Sequence, residues 1–233
     1  MKALIFAAGY GQRMRPLTEH TPKPLLNVGG KRLIEWHLER LAAAGITDVV
    51  INIAHLASQF APALGDGARY GLHIHYSDEG ERPLETGGGM LRALPLLGPD
   101  PFIAINGDIW CDLDLGSLPS EPAGEAHLVL VDNPPHHPLG DFQLRPDGHI
   151  DDREADTPAL TFAGIGVYAG RQLLDARIRQ QGAAKPATPR FALAPVLREA
   201  MHRGAVFGQH FTGHWADIGT PQRLAELDAH LRR

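Results

Sequence analysis

Residues 3–8, ALIFAA, are apolar at every position and stop at Gly9-Tyr10-Gly11. An uninterrupted apolar run, as opposed to an alternating one, belongs to a strand covered on both faces, and that demands helices on both sides of a sheet. The same pattern continues to about residue 110. Lys31 to Ala44 sets Leu33, Ile34, Trp36, Leu38 and Leu41 on one helical face and stops at Gly45. Val49 to Ile53 reads as a second strand, His55 to Leu64 as its helix, Leu72 to Tyr76 as a third strand, Gly89 to Leu97 as a short helix and Phe102 to Ile105 as a fourth strand. Repeated strand–helix–strand units with right-handed crossovers give a largely parallel sheet.

After Asp108 the rhythm changes. Ala126 to Val131, Gly140 to Leu144 and Thr161 to Tyr168 read as strands, Arg171 to Gln180 as a helix, and Gly182 to Pro189 as a polar loop. Pro195 suits the first position of a helix running to His202, Ala205 to Gly208 is a late strand, and Thr220-Pro221 caps a final helix. The expected fold class is α/β, a three-layer sandwich around one mixed, mostly parallel sheet, with a small lobe inserted in its second half. We expect a single domain over residues 1–233.

Composition narrows the function classes. Hydrophobic residues are 43% and charged residues 21% of the 233, and the formal charge is −5. A net acidic chain without a basic face is not built to hold nucleic acid. Cys111 is the lone cysteine, so neither a disulfide framework nor a cysteine-built zinc site is available. No apolar run approaches the ~20 residues that span a bilayer, and the N-terminal apolar run is too short for a signal peptide. The expectation is a cytoplasmic protein, monomer or homodimer, with no nucleic-acid or membrane partner.

The glycine turn points to phosphate. Glycines at positions 9 and 11 let backbone N–H groups approach phosphate oxygens, and Arg13 adds a fixed charge with paired donors. A dinucleotide fingerprint would need a third glycine where Met14 stands, and no Gly-Lys-Ser/Thr follows for an ATPase loop. The full stretch AAGYGQRMRPLTEHTPKPL resembles the signature of the sugar-1-phosphate nucleotidylyltransferases. Glu85-Thr86-Gly87-Gly88, Asn106-Gly107-Asp108, Gly164-Ile165-Gly166 and Trp215-Ala216-Asp217-Ile218-Gly219-Thr220 extend that resemblance nearly end to end.

The resemblance implies a Rossmann-like nucleotidyltransferase fold, with residues 1–110 mainly holding nucleotide and 111–233 mainly the sugar phosphate. It implies Arg13 and Lys23 as catalytic groups on the triphosphate, and Asp108 and Asp217 as ligands of Mg2+. Ala8, Gly9, Gly11, Glu85, Thr86 and Gly87 are expected to bind nucleotide, the last three just ahead of a helix whose N-terminus favours anions. Asn106, Gly140, Asp141 and Gly164 are expected at the sugar phosphate. Within the family, LETGGG, HHPLGDF and HWADIGTP are most similar to the branch that transfers a uridylyl group from UTP to N-acetylmuramate 1-phosphate in cell-wall sugar recycling. The Glu-Lys-Pro motif whose lysine grips the sugar phosphate in many relatives is missing, which leaves Asn133, His136, His137 or Arg145 for that task.

The chemistry is consistent with these residue types. Attack by a sugar-phosphate oxygen on the α-phosphorus brings two anions together, so neutralisation and in-line placement are the main needs. The nucleophile is already anionic near neutral pH, and no histidine base is required. Magnesium takes oxygen ligands, few of them from protein when phosphates supply the rest. Other readings compete. His73 and His75 share a strand face without a third ligand, Asp112 and Asp114 read as solvated, and Cys111 and Trp36 read as buried packing. An oxidoreductase is disfavoured by Met14, and a non-catalytic binding relative by the retention of Arg13, Lys23, Asp108 and Asp217. A guanylyltransferase acting on mannose 1-phosphate is the nearest enzymatic rival.

Overall fold

The opening apolar run lies well inside a seven-stranded sheet, as its unbroken hydrophobicity requires. A computed structural model describes residues 1–155, 157–181 and 188–232. In chain order the elements are β1 (Lys2–Phe6), β2 (Asn27–Val28), β3 (Lys31–Arg32), α1 (Leu33–Ala43), β4 (Asp48–Ile53), α2 (Phe60–Leu64), β5 (His73–Asp78) and α3 (Glu85–Leu97). There follow β6 (Phe102–Asn106), β7 (Ile109–Cys111), β8 (Ala126–Val131), β9 (Phe142–Leu144), β10 (Ile150–Asp152), β11 (Thr161–Tyr168), α4 (Gly170–Leu173) and α5 (Asp175–Gln181). The chain closes with α6 (Leu193–Met201), β12 (Val206–Phe211), β13 (Trp215–Asp217) and α7 (Pro221–Leu231).

The main sheet runs β12-β8-β11-β6-β1-β4-β5. Its ladders are parallel except for the two made by β11, which is antiparallel to both β6 and β8. Along β1, Ala3 and Ile5 pack with Ile34, Leu38 and Leu41 of α1, while Leu4 faces the opposite cluster with Met90 and Leu94 of α3 and Val196 and Leu197 of α6. The alternation of faces makes the three layers. A third cluster joins Met14, Val28, Leu33, Trp110, Ile218 and Leu227, so α7 is tied to the segment after the glycine turn.

Two features place the site. α1 and α3 lie on opposite faces, and their chains return to β4 and β6, the two neighbours of β1. Strand order therefore reverses at β1, and a crevice opens at the carboxyl ends of these strands. Second, β7 and β13 form a separate antiparallel ladder pairing Ile109 with Asp217. The Ile218 N–H donates to the Asp108 carbonyl at 2.7 Å. Neither short strand was read from the sequence.

Several boundaries differ from expectation. The segment 55–64 is a 3-10 turn (Ala57–Gln59) followed by the short α2, and Arg171 to Gln180 is split into α4 and α5. Pro195 is the third residue of α6, not the first, because the helix starts at Leu193. Thr220 caps α7 as expected, its hydroxyl accepting the Arg223 N–H. The inserted lobe is the β9–β10 hairpin. The proposed loop over 182–189 falls largely outside the described residues.

Candidate active site

A cleft of about 740 Å3 opens at the carboxyl ends of β1, β4 and β6. Ala8, Gly9, Gly11, Arg13, Lys23, Glu85, Thr86, Asn106 and Asp108 line it, together with Arg190 and with Asn52 and Glu79, the last two missed by the sequence reading. Gly11 has φ +62, and a Cβ there would lie 2.8 Å from Thr18 Cγ2, so glycine is required by both backbone and space. Thr18 fixes the turn by donating its hydroxyl to the Gly11 carbonyl at 2.8 Å. At Gly9 an added Cβ meets nothing within 4 Å. The space over Gly9 is thus cleft, not core.

Charge is arranged on both sides of the turn. Arg13 is exposed and makes no side-chain hydrogen bond or ion pair with another described residue. Lys23 is 8% exposed, and its ammonium lies 2.6 Å from Asp108 Oδ2. Asp217 is held differently. Arg223 Nη1 donates to both its oxygens at 2.6 and 2.7 Å, and His136 Nε2 lies 2.9 Å from Oδ1. Asp217 does not itself line the cleft, but Gly219, two residues on, does.

The cleft floor is anchored by a buried polar relay. Asn52, the one polar residue in the VVINI run, accepts the Ala7 N–H through Oδ1 at 2.6 Å and donates through Nδ2 to Glu79 Oε1 at 2.6 Å. Glu79 Oε2 accepts the Leu84 N–H at 2.6 Å. Burial pushes the Glu79 carboxyl above the usual range, against the pull of these donors. A lone asparagine in an otherwise apolar strand was the signal that would have found this relay.

The segment after Glu79 corrects one expectation. Glu85 to Gly88 do not precede the helix; they are its first turn, and Glu85 holds φ +63 at its start. The N–H groups of Gly87 and Gly88 both donate to the Phe191 carbonyl at 3.0 Å, and Thr86 Oγ1 accepts the Leu193 N–H at 3.0 Å. The end of α3 is therefore capped by protein and does not offer those donors to an anion. Gly87 does not line the cleft. A Cβ there would lie 2.4 Å from the Phe191 ring, so its glycine serves packing. Arg190, on the same strap, pairs with Glu85 at 2.8 Å.

A second cavity of about 190 Å3 adjoins the cleft through Phe6, Thr86 and Asn106, which line both. Asp141, Gly164 and Arg198 line it, with mostly apolar neighbours. A bulge in β11 between Phe162 and Gly166 puts Gly164, at φ +78, against the Asn106 side chain, where a Cβ would come within 2.7 Å. Gly140 is outside the cavity and packs against Asn133 and Ala159. Asn133 is itself occupied, donating to the Ala159 carbonyl and accepting from Thr161 at 2.8 Å each. Arg145 pairs with Asp151 on the β9–β10 hairpin, and His137 lies 3.1 Å from Asp141. His73 is exposed, His75 lies 4.0 Å from Asp48, and Cys111 is buried. Among the described residues no three metal-binding side chains cluster.

A family model for nucleotidyl transferases matches residues 2–233. The chain belongs to the nucleotidyl transferase family. Within it, this nucleotidyl transferase is 50% identical to an N-acetylmuramate alpha-1-phosphate uridylyltransferase of Neisseria meningitidis, over 98% of this chain and 97% of that protein. It is 34% identical to one from Caulobacter vibrioides, over 98% and 96%. It is 31% identical to a mannose-1-phosphate guanyltransferase of Aspergillus fumigatus, over 95% of this chain but 62% of that one. A crystal structure described as a glucose-1-phosphate thymidylyltransferase of Bacillus anthracis, in complex with sucrose, superposes with a TM-score of 0.82 at 22% identity, covering 100% of this chain and 95% of that one. That likeness bears out the three-layer, mostly parallel fold. Family membership carries the substrate classes, a nucleoside triphosphate and a sugar 1-phosphate. No described helix is long and apolar enough to cross a membrane.

Proposed function

We propose that the protein transfers a uridylyl group from UTP to N-acetylmuramate 1-phosphate, releasing pyrophosphate. The observation that carries this reading is the near end-to-end relation, at 50% identity, to the Neisseria enzyme of that name. The two connected cavities support it, one beside the glycine turn and one beyond Asn106. In this reading residues 1–110 mainly hold nucleotide and 111–233 mainly the sugar phosphate. The triphosphate lies over Gly9 and Gly11, with Arg13 and Lys23 neutralising the β and γ phosphates. A phosphate oxygen of the sugar 1-phosphate attacks the α-phosphorus. As that P–O bond forms, the bond from the α-phosphorus to the bridging oxygen breaks and pyrophosphate carries away the electron pair. Lys23, buried and paired with Asp108, supplies a fixed positive charge to the departing oxygen.

The donor set suits Mg2+. Asp108 and Asp217 offer hard carboxylate oxygens on segments brought together by the β7–β13 ladder, the donor type of a metal that completes its shell with phosphate and water. Bound there, the ion would supply positive charge to the phosphate oxygens. Lys23 and Arg223 hold the two carboxylates in place before substrate arrives. We place the protein in the cytoplasm, as a monomer or homodimer in cell-wall sugar recycling.

The deciding experiment is a pyrophosphate-release panel of UTP, dTTP, GTP, CTP and ATP against glucose, N-acetylglucosamine, mannose and N-acetylmuramate 1-phosphates. The highest kcat/KM is expected for UTP with N-acetylmuramate 1-phosphate. A preference for GTP with mannose 1-phosphate would replace this reading with the guanylyltransferase one.

A further inference from the structure

We infer that Arg198 is the residue that selects an acidic sugar, by pairing with the carboxylate of the lactyl ether of N-acetylmuramate. This rests on the proposed substrate. Arg198 lies on α6 and lines the smaller cavity. Its Nε is 2.9 Å from both oxygens of Asp152, and its guanidinium carbon stands 5.9 Å from the centre of the Phe142 ring. The guanidinium is thus fixed on one edge by a carboxylate and on one face by an aromatic ring. Its two terminal nitrogens have no hydrogen-bond partner among the described residues. A planar donor pair held ready in this way matches a carboxylate in bidentate geometry, which an ammonium could not do.

The rest of the cavity argues the same way. Its walls are mainly Ala104, Phe142, Phe162, Tyr168, Leu193 and Leu197. A sugar presenting only hydroxyls would leave most of them unpaired against such walls, a costly arrangement. A lactyl group differs, since it brings a methyl for the aromatic rings and a carboxylate for the cation. The other charged group lining the cavity, Asp141, is already engaged. Its Oδ2 accepts the Phe162 N–H at 2.9 Å and its Oδ1 lies 3.1 Å from His137. Three other arginines that could serve sit elsewhere. Arg145 is on the hairpin, Arg153 lines a separate hollow, and Arg190 is in the larger cleft.

The test is a competition between N-acetylmuramate 1-phosphate and N-acetylglucosamine 1-phosphate, which differ only by the lactyl group, with UTP in one tube. The ratio of the two UDP-sugars gives the ratio of kcat/KM and is independent of how much protein is active. Wild type should favour the lactyl-bearing sugar, and Arg198→Gln should lower that ratio by at least ~30-fold, through KM for the acidic sugar. Asp152→Ala, which keeps Arg198 but removes the acceptor that anchors it, should lower it by a smaller factor. If Arg198→Gln gives no folded protein, Asp152→Ala carries the test alone. A ratio unchanged from wild type in the variant that folds overturns the assignment. A wild type with no preference for the lactyl-bearing sugar would instead overturn the proposed substrate.

Discussion

Asn52→Leu probes whether the buried relay under the glycine turn holds the nucleotide cleft in shape. Asn52 is 2% exposed, and leucine keeps its branched outline while removing both polar atoms. The Ala7 N–H would then be left without its 2.6 Å acceptor, at about 1–3 kcal/mol for a buried donor. Glu79 would lose its 2.6 Å donor, a bond to a charged group worth about 1.5–3 kcal/mol. The total is about 2.5–6 kcal/mol, part of which Glu79 recovers by taking a proton. Burial already holds its carboxyl above the usual range, and losing a donor raises it further. A carboxyl whose folded pKa lies above its unfolded value contributes most at low pH and loses that contribution as pH rises through the folded pKa. The destabilisation should therefore be larger at pH 8 than at pH 5. Urea denaturation followed by tryptophan fluorescence at both pH values reads it, and steady-state kinetics should show a raised KM for the nucleotide. A loss below about 1 kcal/mol, or one that does not grow from pH 5 to pH 8, would refute the reasoning.

Asp108→Asn and Asp217→Asn should each nearly abolish turnover, and removing Mg2+ with a chelator should do the same to the wild type; normal magnesium-dependent rates in either variant would remove the metal assignment. Asparagine is preferred to alanine at 108 because Lys23 is buried and needs an acceptor there. Arg13→Ala and Lys23→Ala should lower kcat by at least about 10²-fold, and a change confined to KM for the nucleotide would contradict a role on the leaving group. Gly87→Ala should cost about 1–3 kcal/mol in thermal or urea unfolding, because its Cβ would overlap the Phe191 ring; a neutral result would show that the strap yields freely. His37 is fully buried, and burial, then Arg40, push its pKa down to about 4. Its neutral form stabilises the fold above pH ~6.5, and that contribution, on the order of 3 kcal/mol, is lost as pH falls toward 4. The stability gap between wild type and His37→Gln should shrink by that amount between pH 7.5 and 4.5, and parallel curves would exclude it.

Sequence alone carried the fold because β1, β4 and β6 are apolar on both faces and need helices on each side. The glycine turn was legible for the same local reason, since left-handed backbone at Gly11 admits little else. What escaped was set by partners distant in the chain. β7 and β13 have three residues each, too few for any periodicity, and exist because they pair with one another. The start of α3 at Glu85 depends on Phe191, more than a hundred positions away. Arg198 reads as an ordinary polar residue on an amphipathic helix until Asp152 and Phe142 are folded around it.

The three residue pairs joining β7 to β13 bear on how the molecule can fail. So short a ladder does not hold in water by itself. It persists because the sheet, α1 and α7 close around it, and it makes the backbones of Asp108 and Asp217 neighbours though almost half the chain separates them. A fragment containing either half would keep one carboxylate and lose the other. Catalysis is then a readout of the whole molecule's integrity: a nicked or partly melted chain falls silent and does not turn over substrate loosely. Loss of activity and loss of tertiary structure should follow one curve with denaturant, with no inactive but native-like plateau between them.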